Sequence, residues 1–179
     1  WLERSTRSRE ERTDLLIRNL PLNPGDVVAD IGAGTGYFSF PIAKRIPNGQ
    51  VLAVDIQQEM LDIVTARKSQ LEITNVSTVR GTHDSPGLVE STVNLILIVD
   101  AYHEFSHPFE MGRAMAAALK PGGKLVLVEY RGEDRRLNIK PLHKMTQAQV
   151  RKEMDAIGLE WLKTEDYLPQ QHVLIFQKP

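Results

Sequence analysis

The chain has no cysteine, which removes disulfides, thiolate zinc sites and a cysteine nucleophile together while leaving the redox compartment open. It has no excess of charge of either sign. Its 22 Lys and Arg stand against 23 Asp and Glu, so no global field draws in polyanions and nucleic acid is not implied. It also lacks any apolar run approaching the roughly 20 residues of a membrane span, and no internal repeat, low-complexity tract or linker-like stretch divides it. With 179 residues, 41% of them hydrophobic, one domain over 1–179 with one sizeable core is expected. The sequence begins at Trp1 and not at Met, so a segment upstream is expected to have been left out. A cytoplasmic protein is expected, with an exported form left open.

What is present is an alternation of strand and helix patterns. Residues 1–22 read as a helical lead-in, with a helix over 8–20 in which Ser8 and Glu11 fit a capping box and the Arg/Glu-rich outer face is solvated. Strands are expected at 27–31, 51–55, 76–81, 93–99 and 124–130, with helices over 37–46, 58–73 and 108–119 between them. Residues 93–99 are nearly all apolar, as in a parallel strand covered on both faces. A helix over 146–157, capped by Gly158, precedes strands 160–167 and 172–177, whose short link suits an antiparallel hairpin. The expected fold is α/β: a doubly wound, mostly parallel sheet with an antiparallel C-terminal hairpin and helices on both faces. Ligands in such sheets sit at the carboxyl ends of the strands, where the strand order reverses.

Gly32, Gly34 and Gly36 stand at that place, straight after the first strand, in Asp30-Ile31-Gly32-Ala33-Gly34-Thr35-Gly36. They remove every Cβ between strand and helix and let a nucleotide-like ligand lie against the main chain. The nicotinamide and flavin fingerprint would place its third glycine at position 37, where this chain has Tyr37. Asp55, at the tip of the second strand and 19 positions after Gly36, is placed to accept hydrogen bonds from both hydroxyls of a ribose. Ile56 beside it offers an apolar surface to an adenine.

Asp30–Gly36 resembles motif I of the class I S-adenosylmethionine-dependent methyltransferases, and Leu119-Lys120-Pro121-Gly122-Gly123 resembles the turn that precedes their fifth strand. The resemblance runs from about residue 24 to 130. At the end of strand three the family often carries Gly-Asp-Ala; here Thr82 follows Gly81 and the acid comes later, at Asp84. The resemblance implies a seven-stranded sheet of order 3-2-1-4-5-7-6, S-adenosyl-L-methionine as cofactor and S-adenosyl-L-homocysteine as product. It implies cofactor contacts from Asp30, Gly32, Ala33, Gly34, Gly36, Tyr37, Asp55, Ile56, His83, Asp84 and Asp100.

In that family the loop after strand four faces the transferred methyl group, and here it reads Asp100-Ala101-Tyr102-His103-Glu104-Phe105-Ser106-His107. The Asn/Asp-Pro-Pro-Tyr signature of many amide and nucleobase amino methylators is absent from it. His103 could take a proton from an acceptor hydroxyl as general base, or could bond a loop carbonyl and brace the site. Tyr102 could orient the acceptor or close over the cofactor, and Glu104 could fix the imidazole tautomer. Glu129 and Tyr130, at the tip of strand five, are expected to face the same crevice; His103, Tyr102 and Glu129 are the catalytic candidates. His107 and Phe109 are expected to begin the next helix and pack. Residues 131–145 form a charged loop on the substrate side, whose Arg131, Arg135, Arg136, Lys140, His143 and Lys144 either meet an acidic acceptor or are merely solvated. No metal site is expected, because no His-x-x-x-His or carboxylate cluster lies on one helix. The acceptor read from this is a small molecule; a protein or RNA acceptor, or a module that binds the cofactor without turnover, are the alternatives.

Overall fold

The structure is a computed structural model that describes residues 3–179; Trp1 and Leu2, which open the lead-in, lie outside the described residues. Eight strands form one sheet: β1 (Val27–Ile31), β2 (Gln50–Asp55), β3 (Val76–Arg80), β4 (Val93–Val99), β5 (Leu119–Arg131), β6 (Lys144–Met145), β7 (Glu160–Glu165) and β8 (Gln171–Gln177). Their order is 3-2-1-4-5-8-7, with the two-residue β6 pairing off this path against β5. Counting only the seven long strands, this is the order the resemblance implies. The first five pair in parallel, and β8 runs antiparallel to both β5 and β7.

Side chains alternate across a strand, so one strand can feed two cores. In β4, Leu95 and Leu97 enter the core beneath α2 (Thr13–Asn19), α3 (Ser39–Arg45) and α4 (Gln58–Gln70). Ile96 and Ile98 enter the opposite core, beneath α5 (Pro108–Ala118) and α6 (Gln147–Ala156). All four side chains are buried, which is why this strand reads as an unbroken apolar run. Thr146 caps α6, its hydroxyl accepting from the Gln149 N–H, and Gly158 follows the helix with φ +82°.

Several expectations are corrected. The single helix over 8–20 is two, α1 (Arg7–Glu11) and α2, broken at Arg12 in the left-handed region. No capping box forms: Ser8 lies inside α1, and Glu11 instead accepts from Arg7 and Arg4. The outer face is solvated at Arg9, Glu10, Arg12, Asp14 and Arg18, whereas Arg7 and Glu11 are buried. α4 stops at Gln70 and not at 73, leaving Leu71 exposed. Lys120–Gly123 is less a turn before β5 than the start of it, displaced by a bulge in the pairing with β4.

The strand order reverses between β1 and β4, whose connections leave to opposite sides of the sheet. That reversal opens a crevice at their carboxyl ends, and α1 folds across it.

Candidate active site

A cavity of about 430 Å³ fills the crevice, within the range typical of small-ligand sites. Its floor is the glycine loop and the ends of β1, β2 and β4. Gly32 has φ +71°, and a Cβ there would stand 2.8 Å from the Cβ of Ala101 after β4, so only glycine lets the two loops approach. Gly36 serves packing instead: its Cβ would meet the Phe40 ring at 2.7 Å, on the core side, and it does not line the cavity.

Asp55 holds the loop in shape. Its Oδ2 accepts from Gly34 N at 2.9 Å and its Oδ1 from Gln57 N at 2.9 Å. Each oxygen keeps a lone pair for a further donor. Asp30, fully buried, accepts from Ser39 Oγ at 2.6 Å and ties the end of β1 to the start of α3. Burial, opposed by the Ser39 hydrogen bond, raises its carboxyl to about 6.

Asp100 leaves β4 with φ +49°, a conformation that Asp tolerates better than most residues. Its Oδ2 accepts from Gln171 Nε2 at 2.8 Å, while Oδ1 is buried and has no partner. Burial first, then the negative charges of Glu129 and Glu11, push this carboxyl up to about 8. An acid held neutral with one oxygen unsatisfied is a receptor awaiting a donor.

Beyond Asp100 the chain makes a tight turn, Tyr102–Glu104, gathered by Glu129. Glu129 is fully buried; its Oε1 accepts from the backbone N–H groups of Tyr102 and His103, and its Oε2 lies 2.7 Å from His103 Nδ1. Burial works against a charged His103 ring, but the hydrogen bond and charge of Glu129, helped by Glu104 and Asp100, raise its pKa. The other ring nitrogen, Nε2, lies 2.9 Å from His143 Nδ1.

Of the residues singled out from sequence, Asp30, Gly32, Ala33, Gly34, Tyr37, Asp55, Ile56, His83 and Asp100 line the cavity, and Gly36 and Asp84 do not. Asp84 is turned to Thr82, whose hydroxyl donates to it at 2.6 Å, and Thr82 itself takes a place in the wall. The structure puts Tyr102 in the core beside Met111, with its phenol raised above the usual range by burial and Glu153. Tyr130 is buried too, its phenol raised by burial and Asp100, and none of Tyr102, His103, Glu129 and Tyr130 lines the cavity. Phe109 begins α5 but stands half exposed, with Arg113 over its ring. Three cations of the 131–145 loop serve the chain itself: Arg131 binds Asp166 and the carbonyls of Leu168 and Pro169, Arg136 binds Asp134, and Lys144 the carbonyls of Asp134 and Leu137, while Arg135 and Lys140 are exposed.

Two features escaped the sequence. Arg7 roofs the cavity, its guanidinium 4.4 Å from the Tyr37 ring centre and 2.9 Å from Glu11. Glu3 reaches Thr35 and Arg67 across the same roof, and Thr13 meets the Tyr37 hydroxyl at 3.0 Å. The i, i+4 spacing of Arg7 and Glu11 is the available signal for this pair. The second is the meeting of His103 with His143, 40 positions apart.

Residues 28–123 match the model of a methyltransferase domain family, more than half of the chain. The chain belongs to this family. A tRNA U34 carboxymethyltransferase of Desulfotalea psychrophila is 33% identical over 66% of the chain, and a ubiquinone/menaquinone biosynthesis C-methyltransferase of Ectopseudomonas mendocina is 28% identical over 61%. The chain spans only 37% and 43% of the lengths of these two relatives. The crystal structure of an S-adenosylmethionine-dependent methyltransferase from Aquifex aeolicus superposes with a TM-score of 0.91 at 20% identity, over 99% of this chain and 95% of that one. The fold is therefore the Rossmann-like fold of the class I methyltransferases.

Proposed function

We propose that this methyltransferase-family domain binds S-adenosylmethionine in the roofed cavity and transfers its methyl group to a small molecule. The observation that carries the reading is the match between donor groups on the cofactor and acceptors in the wall. Asp55 offers free lone pairs beside a bare glycine loop, where ribose hydroxyls can reach them. Ile56 and Met60 supply apolar wall for a base, and the unpartnered Asp100 Oδ1 suits a cationic amine. Bound there, the cofactor supplies an electrophilic methyl group.

The chain's own work is placement. Glu129 fixes the turn after β4, and Glu104, Phe105 and Ser106 beyond it join the cavity wall, Ser106 Oγ lying 3.5 Å from His83 Nδ1. Arg7 of α1 covers part of the cavity, which limits water around the polar contacts inside. A partly covered cavity of this size favours a small acceptor over a macromolecular surface. The name of the Desulfotalea relative is the one observation favouring an RNA acceptor.

The test is calorimetric titration of S-adenosylmethionine, then an acceptor screen with labelled methyl cofactor over separated metabolite and macromolecule fractions. Label in a metabolite fraction supports the reading. Label only in RNA or protein overturns the small acceptor, and absence of cofactor binding overturns the whole.

A further inference from the structure

We propose that His103, Glu104 and His143 form a binding site for one divalent transition-metal ion of the zinc class, beside the cavity wall to which Glu104 contributes. The site goes beyond the methyl-transfer reading and does not depend on it, since the ligands belong to two surface turns and not to the cofactor pocket's glycine side.

Two turns bring the three residues together: Tyr102–Glu104 after β4, and Pro141–His143 just before β6 pairs with β5. His103 Nε2 and His143 Nδ1 lie 2.9 Å apart, and Glu104 Oε1 lies 4.0 Å from the same Nε2. All three ligand atoms fall within 4.8 Å of one another. Around a tetrahedral ion with bonds of about 2.0–2.1 Å, neighbouring ligand atoms sit about 3.3 Å apart. The two separations at His103 Nε2, 2.9 and 4.0 Å, lie on either side of that value, so side-chain shifts of about an ångström close the shell.

Three further observations point to a metal and not to a histidine pair alone. First, Glu129 Oε2 lies 2.7 Å from His103 Nδ1, so Nδ1–H donates to the carboxylate and the lone pair is kept on Nε2. A carboxylate behind the ring is the usual companion of a metal-bound histidine. Second, Glu129 is fully buried and also holds the N–H groups of Tyr102 and His103, so the ligand is locked in place before any ion arrives. Third, Glu104 is an exposed carboxylate that lines the cavity, and no cation among the described residues lies within ion-pair distance of it except His103.

The donor set decides the class of ion. Two imidazoles and one carboxylate suit Zn²⁺, Fe²⁺, Co²⁺ or Mn²⁺, whereas Mg²⁺ and Ca²⁺ prefer all-oxygen shells. Three protein ligands leave a coordination position open, as catalytic sites do and structural ones do not. An acceptor oxygen bound at that position would lose its proton more readily. Binding replaces the hydrogen bond between the two imidazoles: the proton on His143 Nδ1 moves to that residue's other nitrogen or leaves to solvent.

The experiment uses the chelator-treated full chain titrated with Zn²⁺ by calorimetry, with Mg²⁺ as control and Co²⁺ substitution read by its visible absorption. One Zn²⁺ per chain is expected, unaffected by Mg²⁺, and a visible Co²⁺ band of nitrogen and oxygen ligation. His143→Ala lies in a turn with no buried residue and should keep the fold, checked by thermal melting, while weakening Zn²⁺ at least about 100-fold. Glu129→Gln, one shell further out, should weaken it about 10–100-fold. No binding by the folded wild type overturns the proposal, as does unchanged affinity in a His103→Ala, His143→Ala double variant. S-adenosylmethionine affinity is measured on the same samples, so a failure of cofactor binding and a failure of metal binding are read separately.

Discussion

Asp100 should make cofactor binding release a proton. In the free protein its carboxyl is raised to about 8 by burial and by the charges of Glu129 on β5 and Glu11 on α1, with Gln171 on β8 and Arg7 on α1 pulling the other way. A cationic amine beside the unpartnered Oδ1 favours the ionised acid, so binding must expel the proton that the free site holds. At pH 7 a group titrating near 8 is about nine-tenths protonated, which predicts release of about 0.9 proton per cofactor bound. Affinity should then fall about tenfold for each pH unit below 8, or about 1.4 kcal/mol per unit, until the bound-state pKa is reached. The cofactor's own α-amino group titrates at about 8 as well, so the diagnostic is the difference between wild type and Asp100→Asn and not the curve alone. Calorimetry at pH 7 in two buffers of different ionisation enthalpy gives the proton count directly. Equal proton release by wild type and Asp100→Asn, or a wild-type affinity flat from pH 6 to 8, would refute the reasoning. The sign extends to the free protein: the unfolded chain ionises this group near 4 while the folded one holds its proton to about 8, so Asp100 costs stability as pH rises through that window.

Asp55→Ala should weaken S-adenosylmethionine binding by about 1.5–3 kcal/mol, the range for hydrogen bonds to a charged group, and calorimetry showing unchanged affinity would remove the ribose assignment. Gly36→Ala should destabilise the fold by about 1–3 kcal/mol through the Phe40 ring, read in a urea titration; Gly34→Val should abolish cofactor binding and, because Gly34 has φ +52°, also lower stability, so binding is measured on protein shown to be folded. Arg7→Ala strands Glu11, though Arg4 still reaches it. It should cost about 1–3 kcal/mol of stability and speed cofactor release in stopped-flow measurements. A release rate equal to wild type would mean that α1 is not a roof.

The sheet was legible because each strand is punctuated and its apolar pattern has one interpretation. The nearly all-apolar Val93–Val99 reads as a strand buried on both faces, and the glycine run and Asp55 mark the switch point locally. What escaped was set by contacts between distant segments. Arg7 and Glu11 carry the spacing of a solvated helix pair, and only the roof over Tyr37 makes them a buried one. Tyr102 and His103 are neighbours in the loop that faces the acceptor, yet a 3-10 turn sends the tyrosine into the core under α5 and the histidine toward His143. No periodicity in the sequence records that His143 would return, after a loop of charged residues, to the ring of His103.

Glu129 links the two ends of this site, and the link has opposite signs. Its charge is one cause of the raised carboxyl at Asp100, and its Oε2 is the group that orients His103. Glu129→Gln removes the charge but keeps an acceptor for the turn's N–H groups. The amide lowers the proton affinity of Asp100, so the low-pH loss of cofactor affinity shifts to lower pH and binding at pH 7 strengthens. The same change weakens the hold on His103 Nδ1–H and with it the grip on Zn²⁺. A purely destabilising role for Glu129 would weaken both ligands together, in step with the melting temperature. Opposite movements of the two affinities in a single variant therefore separate an electrostatic relay along the ends of β4 and β5 from simple loss of packing.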